Sequence, residues 1–150
     1  MREILFKAKR IDNGEWIEGN LVFLFPKKVH EAFIIPIKFG NAFMQLREGD
    51  LGFRYWYKVD KETLCQFTGL CDKNGNKIWE NDTFQCTDET MVTQKDLIEY
   101  NETHASFVRL RNTEKLGLQY LWIDEATCNH GEVVGNIFDN PELLQEESDK

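Results

Sequence analysis

The sequence predicts a mainly β protein, with an N-terminal antiparallel sheet lobe, a small SH3-like or similar C-terminal β-barrel and a short C-terminal helix. Three observations support this fold class. Apolar and polar residues alternate in short runs, turn-forming pairs such as Asn-Gly separate these runs, and aromatic residues make up 13% of the 150 residues. Alternation with a period of two is typical of half-buried strands, and aromatic side chains favour strands over helices.

The N-terminal lobe is predicted over residues 1 to 63 and consists of short strands. Its first two runs, residues 3 to 10 and 16 to 25, flank Asp12-Asn13-Gly14, so a hairpin is expected there. Further strands are expected at residues 33 to 39 and 53 to 58.

The C-terminal lobe, predicted over residues 64 to 144, is organised around the segment from Leu64 to Phe84. Asp72-Lys73-Asn74-Gly75 lies between two strand-like runs, and an Asn-Gly pair in that position is the strongest short hairpin signal. Asn81-Asp82 predicts a second tight turn, because Asn is one of the few residues besides Gly that adopt positive φ. Gly69 and Gly135 are the expected bends or bulges.

The remainder of this lobe continues the pattern. Strands are expected on both sides of residues 101 to 103, followed by a turn at 111 to 115 and a strand at 118 to 123. Asn140 before Pro141 predicts the start of the short helix, since Asn caps helix N-termini and Pro is tolerated in the first turn. The charged residues 145 to 150 are expected to form a disordered tail.

Three blocks carry a family resemblance: REILFKAKRIDNGEWIEGNL at the start, YKVDKETLCQFTGLCDKNGNKIWENDTF in the centre and GEVVGNIFDNPELL near the end. In this order they resemble the YopX family of small proteins encoded by bacteriophages and prophages. The resemblance covers residues 1 to 144 and implies a fold and a phage context, but no mechanism. This sequence departs from the family pattern at Asn81, where Gly is common. Asn still permits positive φ there at some steric cost.

The resemblance also marks a set of motif positions, to which we assign structural roles. They are Gln66, Thr68, Gly69, Leu70, Asp72, Asn74, Gly75, Glu80, Asp82, Gly135, Asn136, Asn140 and Pro141.

The net charge of -8 is unevenly distributed. Residues 1 to 75 contain 12 basic and 10 acidic residues, a net charge of +2, whereas residues 76 to 150 contain 6 and 16, a net charge of -10. This balance argues against sequence-independent DNA binding, which depends on neutralising phosphates with Lys and Arg. It is compatible with a basic partner, with a second copy of the chain, or simply with a solvated acidic face.

Composition also bears on the compartment. A mean hydropathy of -0.51 and the lack of a long apolar run argue against a membrane span, and the N-terminus lacks the layout of a signal peptide. A cytoplasmic location in a bacterial host is therefore expected. The four cysteines form no C-x-x-C pair, so we interpret them as reduced, apolar thiols, and we expect neither a metal nor a cofactor.

Two groups of residues are candidates for catalysis, and each has a simpler structural reading. Glu80 and Asp82 would share one face of a strand and form an acid/base pair, but turn carboxylates usually accept backbone N–H bonds. Cys128-Asn129-His130 contains the residue types of a thiol hydrolase, although such triads normally meet from distant segments. No catalytic residue is therefore predicted.

The most distinctive surface candidate lies in the N-terminal lobe, where aromatic and basic residues alternate as in platforms that stack single-stranded nucleic acid. It comprises Phe53, Arg54, Tyr55, Trp56, Tyr57 and Lys58. The favoured hypothesis is a non-catalytic protein-interaction module that binds a host or phage protein, with homo-oligomerisation as an option. Nucleic-acid binding through the barrel and residues 53 to 58 is the alternative, and an enzyme is a third.

Overall fold

The computed structural model describes residues 3–24, 31–37, 43–47, 50–53, 55–87, 92–113 and 115–144, of which 24, 43–47 and 50–53 are described as backbone only. Strands account for most of this part of the chain. They are β1 (Phe6–Lys9), β2 (Trp16–Leu24), β3 (Glu31–Pro36), β4 (Phe43–Arg47), β5 (Asp50–Phe53), β6 (Tyr57–Val59), β7 (Cys65–Cys71), β8 (Lys77–Trp79), β9 (Asp82–Thr87), β10 (Thr93–Asn101), β11 (Ser106–Thr113), β12 (Gly117–Trp122) and β13 (Gly131–Asn136). The helical elements are the 3-10 helices Lys61–Thr63 and Pro141–Leu144 and the α-helix α1 (Glu125–Cys128).

The chain divides into two compact units, Met1–Gln66 and Phe67–Lys150. The division falls within β7, whose first two residues pair with β1 and whose later residues pair with β8. This division does not test the lobe boundaries predicted at 63/64 and 144/145, which stay predictions.

The first unit is an antiparallel sheet in the order β6-β3-β2-β1-β7, and β4 and β5 form a separate hairpin. The predicted turn between β1 and β2 is confirmed, with Gly14 at φ 72°. The main buried cluster of the unit is small and aliphatic. Its fully buried members are Ala8, Ala32, Ile34 and Val59.

The second unit contains the β7–β8 hairpin and a five-stranded antiparallel sheet in the order β12-β11-β10-β9-β13. Its core consists of Ile78, Phe84, Ile98 and Cys128. Cys128 brings α1 against the sheet, so this short helix owes its place to burial of one thiol-bearing side chain. In Gly131, an added Cβ would lie 2.2 Å from the Phe84 ring, so β13 approaches β9 closely there.

The mainly β, antiparallel fold with short helical elements is confirmed. The SH3-like barrel is not confirmed, because the described pairings leave β12 and β13 as open edges of the sheet. The C-terminal helix is a 3-10 helix of four residues, and α1 was not predicted. Within the described ranges, no helix is long and apolar enough to cross a membrane.

Two predicted elements are wrong in detail. The strand expected at 53 to 58 is interrupted, since β5 ends at Phe53 and β6 begins at Tyr57. The turn expected at 111 to 115 is mostly strand, because β11 continues to Thr113 in register with β12. The predicted tail at 145 to 150 lies outside the described residues.

Candidate functional site

The central hairpin is organised by the Asp72 carboxylate, which is 6% exposed. Its Oδ1 accepts the backbone N–H groups of Asn74 and Asn76, both at 2.9 Å. Its Oδ2 accepts the Asn76 side-chain amide at 3.2 Å and the backbone N–H of Val133 in β13 at 3.0 Å. Gly75 completes the turn at φ 81°. The carboxylate thus joins the hairpin to β13.

These contacts determine the ionisation of Asp72. Burial by itself raises the pKa of this carboxyl, but the backbone N–H groups of Val133 and Asn76 and the Asn76 amide outweigh burial and bring its pKa below the ordinary 3.8. Asp72 is therefore charged and fully hydrogen-bonded near neutral pH, which is the role of a structural carboxylate.

The first strand of the hairpin carries the neighbouring motif residues. The Thr68 hydroxyl donates to the Ile78 carbonyl at 2.8 Å and accepts the Leu70 N–H at 3.2 Å. Gly69 has φ 90° and lies where the β7–β8 register shifts, so the predicted bend is confirmed. Gln66 pairs with β1 in the first unit.

The second turn also behaves as predicted, with Asn81 at φ 67°. Its N–H donates to the Ile98 carbonyl at 2.8 Å, and its carbonyl accepts the Ile137 N–H at 3.1 Å. Asp82 is 1% exposed, and its Oδ2 accepts the Trp79 N–H at 2.8 Å, whereas Glu80 is half-buried. Asp82 thus has the bonding of a turn carboxylate.

The C-terminal motif residues form a further turn in the second unit. Gly135 lies at the register shift between β13 and β9, which confirms the predicted bulge. A Cβ on Gly135 would lie 2.5 Å from Asn140 Oδ1, so the Asn140 side chain would have to shift to admit a larger residue. The Asn136 side chain accepts the N–H groups of residues 138 and 139, both at 3.0 Å, and Pro141 begins the 3-10 helix. All of these contacts stabilise the backbone.

In the segment from 53 to 58, side chains are described for residues 55 to 58 only, and these differ in exposure and in partners. Trp56 is 55% exposed, and its ring lies 5.0 Å from that of Phe33. The Arg10 guanidinium stacks 4.1 Å from the Tyr57 ring, and Lys58 pairs with Glu31. Tyr55 is exposed, Phe53 is described as backbone, and Arg54 lies outside the described residues.

The Cys128-Asn129-His130 sequence does not have the geometry of a reactive thiol. Cys128 is 2% exposed, and burial, reinforced by the charge of Asp124, raises its pKa to about 11. The thiol is therefore protonated at neutral pH, and the thiolate is the nucleophilic form. His130 Nδ1 lies 2.8 Å from the Ala126 carbonyl. The described part of the chain contains no cluster of three metal-ligating side chains.

A different surface of the second unit stands out. Strand β12 is an edge strand that pairs with β11, and large apolar side chains on and beside it are exposed. This apolar edge consists of Leu116 (66% exposed), Leu118 (54%), Tyr120 (54%) and Trp122 (65%). Alternation places Leu118, Tyr120 and Trp122 on one face. Strand β12 itself contains no charged residue.

A cavity of about 600 Å³ lies beside α1 on the other face of β12. We call it the arginine pocket, and its lining residues are Cys86, Thr87, Arg109, Arg111, Leu121, Ala126, Thr127 and His130. Both arginines bond to Asp96, which is fully buried on the adjacent strand β10. Neither the apolar edge nor this pocket was predicted from the sequence. The alternation at 118 to 122 was visible but is also typical of a core strand, and the Arg109-x-Arg111 spacing does not reveal its Asp96 partner.

This chain is similar to known proteins in sequence and in fold. Residues 37–145 match the profile of a family described as "YopX protein". Among solved structures, this chain is similar to protein EF1440 from Enterococcus faecalis, with a TM-score of 0.57 and 23% sequence identity over 96% of this chain and 99% of that one. At this identity the likeness concerns the fold alone. No curated protein matches the sequence significantly. The matched residues include the central and C-terminal motif blocks, whereas the N-terminal block lies outside them. Because the family profile spans more than half of the chain, this protein belongs to the YopX family.

Proposed function

We propose that this protein is a phage- or prophage-encoded accessory protein that acts in the bacterial cytoplasm as a non-catalytic protein-interaction module. The observation that carries the proposal is the apolar edge. Its four large side chains are each more than half exposed, and contiguous exposed apolar surface marks interaction sites on soluble proteins.

The backbone of β12 supports the same function. An edge strand presents a row of N–H and C=O groups that another strand can pair with, and proteins usually protect such edges with charged residues, Pro or bulges. Residues Gly117–Trp122 contain no charge and no Pro, and their pairing with β11 has no register shift. This edge is therefore suited to strand addition, in which backbone bonds supply affinity and alternate side chains supply specificity.

The partner that fits this edge best is a second copy of the chain. Antiparallel pairing of two β12 strands about Tyr120 would place Leu118 of one copy opposite Trp122 of the other, on the apolar face. The same register places Tyr120 opposite its own copy, so the two-fold axis repeats the contact between Leu118 and Trp122 on both sides. A closed two-fold contact of this kind is the commonest arrangement in homo-oligomers.

Complementary charges at the paired positions test the arrangement. We expect Leu118→Lys and Trp122→Glu each to weaken dimerisation, because each places a charge opposite an apolar side chain, and the double variant to restore it, because opposite charges then face each other. Sedimentation velocity over a concentration series measures the association. Two single variants that associate like the unaltered chain would contradict this register.

A substitution within the edge tests the surface itself. Tyr120→Lys should abolish self-association, because it places a charge at the centre of the apolar edge, while Ile11→Lys, at another exposed apolar position (58% exposed), should leave it unchanged. If the chain is monomeric at all concentrations, the partner that we propose is a host or phage protein.

Affinity capture with nuclease treatment, at low and high salt, tests for this partner. We expect a captured protein that Tyr120→Lys no longer binds and Ile11→Lys still binds. If neither is found, the interaction function is wrong.

Nucleic-acid binding is the second proposal, and the exposed Trp56 ring favours it. It has less support, since Tyr57 and Lys58 are engaged by Arg10 and Glu31. A gel shift of single-stranded oligonucleotides at low salt that Trp56→Ala removes would support it, and no shift of any oligonucleotide would exclude it. An enzymatic role is the third proposal. It has little support, because the Asp82 carboxylate accepts a backbone N–H group and the Cys128 thiol is buried.

A further inference from the structure

The arginine pocket contains two guanidinium groups that share one carboxylate. Arg111 holds both oxygens of Asp96, with Nε 2.7 Å from Oδ1 and Nη2 3.0 Å from Oδ2. Arg109 Nη1 lies 3.0 Å from the same Oδ2, and its Nε donates to the Trp122 carbonyl at 3.1 Å. The two guanidinium groups are therefore held in fixed orientations.

This arrangement leaves positive charge on the pocket wall. Asp96 is 0% exposed and the arginine side chains are 13% and 16% exposed, so the anion lies behind the cations and the cations line the cavity. No acidic side chain is among the described residues that line it. Asp124 also interacts with the charge of Arg109, and its carboxylate caps α1 by accepting the Thr127 N–H at 2.8 Å.

Hydrogen-bond donors remain available as well. The bonds of Arg109 to Trp122 and Asp96 use its Nε and Nη1, whereas a guanidinium offers five donors in a fork that matches carboxylate and phosphate groups. Thr87 also belongs to the lining, beside the apolar side chains of Leu121 and Ala126, and its hydroxyl lies 3.1 Å from that of Thr93. The cavity volume lies within the range typical of small-molecule sites.

We propose that the arginine pocket binds a small organic oxyanion, whose phosphate or carboxylate group bonds to Arg109 beside Arg111 and whose apolar body packs against Leu121 and Ala126. The alternative is a purely structural cross-strand ion cluster that binds nothing. The two hypotheses predict different results of a ligand titration, because only a binding site saturates with ligand.

A titration of the full-length chain tests this directly. The Nε–H resonances of ¹⁵N-labelled arginines are followed while phenyl phosphate, benzoate or inorganic phosphate replaces chloride at constant ionic strength. We expect saturable shifts at Arg109 and Arg111, and none at Arg10, an exposed arginine in the first unit that pairs with Asp12. Saturation by phenyl phosphate identifies a phosphate ligand, and saturation by benzoate alone identifies a carboxylate. No saturable shift, or equal linear shifts that include Arg10, would overturn the proposal.

Two matched variants complete the test. Arg109→Lys keeps the charge but loses the fork, so we expect the affinity for the saturating probe to fall about tenfold or more. Arg10→Lys is the control and should bind as the unaltered chain does. Thermal unfolding of both variants shows whether they are folded, and unchanged affinity in folded Arg109→Lys would contradict the assignment of the site.

Discussion

Asn81 shows how a single backbone angle constrains this protein. Its φ of 67° lies in the left-handed region, and both its N–H and its carbonyl are bonded, to Ile98 and Ile137. The turn therefore cannot relax to another angle without losing these bonds. The residue type at this position is limited to those that tolerate positive φ.

A matched pair of substitutions tests this constraint. Asn81→Ala should lower the free energy of unfolding by about 1 kcal/mol relative to Asn81→Gly, because a Cβ without a local hydrogen bond is disfavoured in this region. Urea unfolding of both variants measures the difference. Equal stability of the two would show that the turn adopts another backbone angle in solution.

At the scale of elements, close approach between strands β2 and β3 depends on one glycine. Gly19 pairs with Pro36, and a Cβ on Gly19 would lie 2.0 Å from the Ile35 carbonyl oxygen. A backbone atom cannot move aside as a flexible side chain does. Strands β2 and β3 would therefore have to separate.

Gly19→Ala is accordingly expected to destabilise the first unit by about 1 to 3 kcal/mol, the usual cost of overpacking a buried position. The neighbouring exposed Asn20→Ala is the control and should cost less than about 0.5 kcal/mol. Amide hydrogen exchange of β2 and β3 measures the loss of protection. Unchanged protection in Gly19→Ala would mean that the two strands are further apart than described.

At the scale of the whole molecule, several carboxylates make stability depend on pH. Hydrogen bonds from Arg10 lower the pKa of Asp12, and the Thr127 N–H lowers that of Asp124. For Asp72, burial raises the pKa and hydrogen bonds from backbone N–H groups lower it, and the net effect is a lowered pKa. A lowered pKa in the folded state means that the unfolded chain binds protons first as the pH falls.

We therefore expect the stability contributed by these groups to be complete above about pH 5 and to be lost as the pH falls through their ordinary pKa of 3.8 and below it. Most of the effect should come from Asp72, since Asp12 and Asp124 are exposed. Urea unfolding between pH 7 and pH 3 should give a shallower decline for Asp72→Asn than for the unaltered chain. The control Glu142→Gln, at an exposed position, should lose stability with falling pH as the unaltered chain does. Identical slopes of stability against pH in all three proteins would contradict the role of Asp72.

The sequence by itself determined the features that depend on neighbouring residues. The turns at 12 to 14, 72 to 75 and 81, and the bends at Gly69 and Gly135, follow from local steric limits on φ and from side chains that bond to backbone groups a few residues away. Family membership also followed from such motifs, because they lie in short continuous blocks. Strand lengths were less predictable, as at 111 to 113, because pairing with β12 outweighs local preference.

Only the tertiary structure decided which strand is an edge and which charges meet. Alternation of Leu118, Tyr120 and Trp122 is the same in a core strand and in an exposed edge, and β12 is an edge because no described strand pairs with its outer side. Likewise, Asp96 meets Arg109 and Arg111 because the register of β10 and β11 aligns residues 13 and 15 positions apart. Burial and pairing are properties of the folded sheet, so both candidate sites of this protein became visible only there.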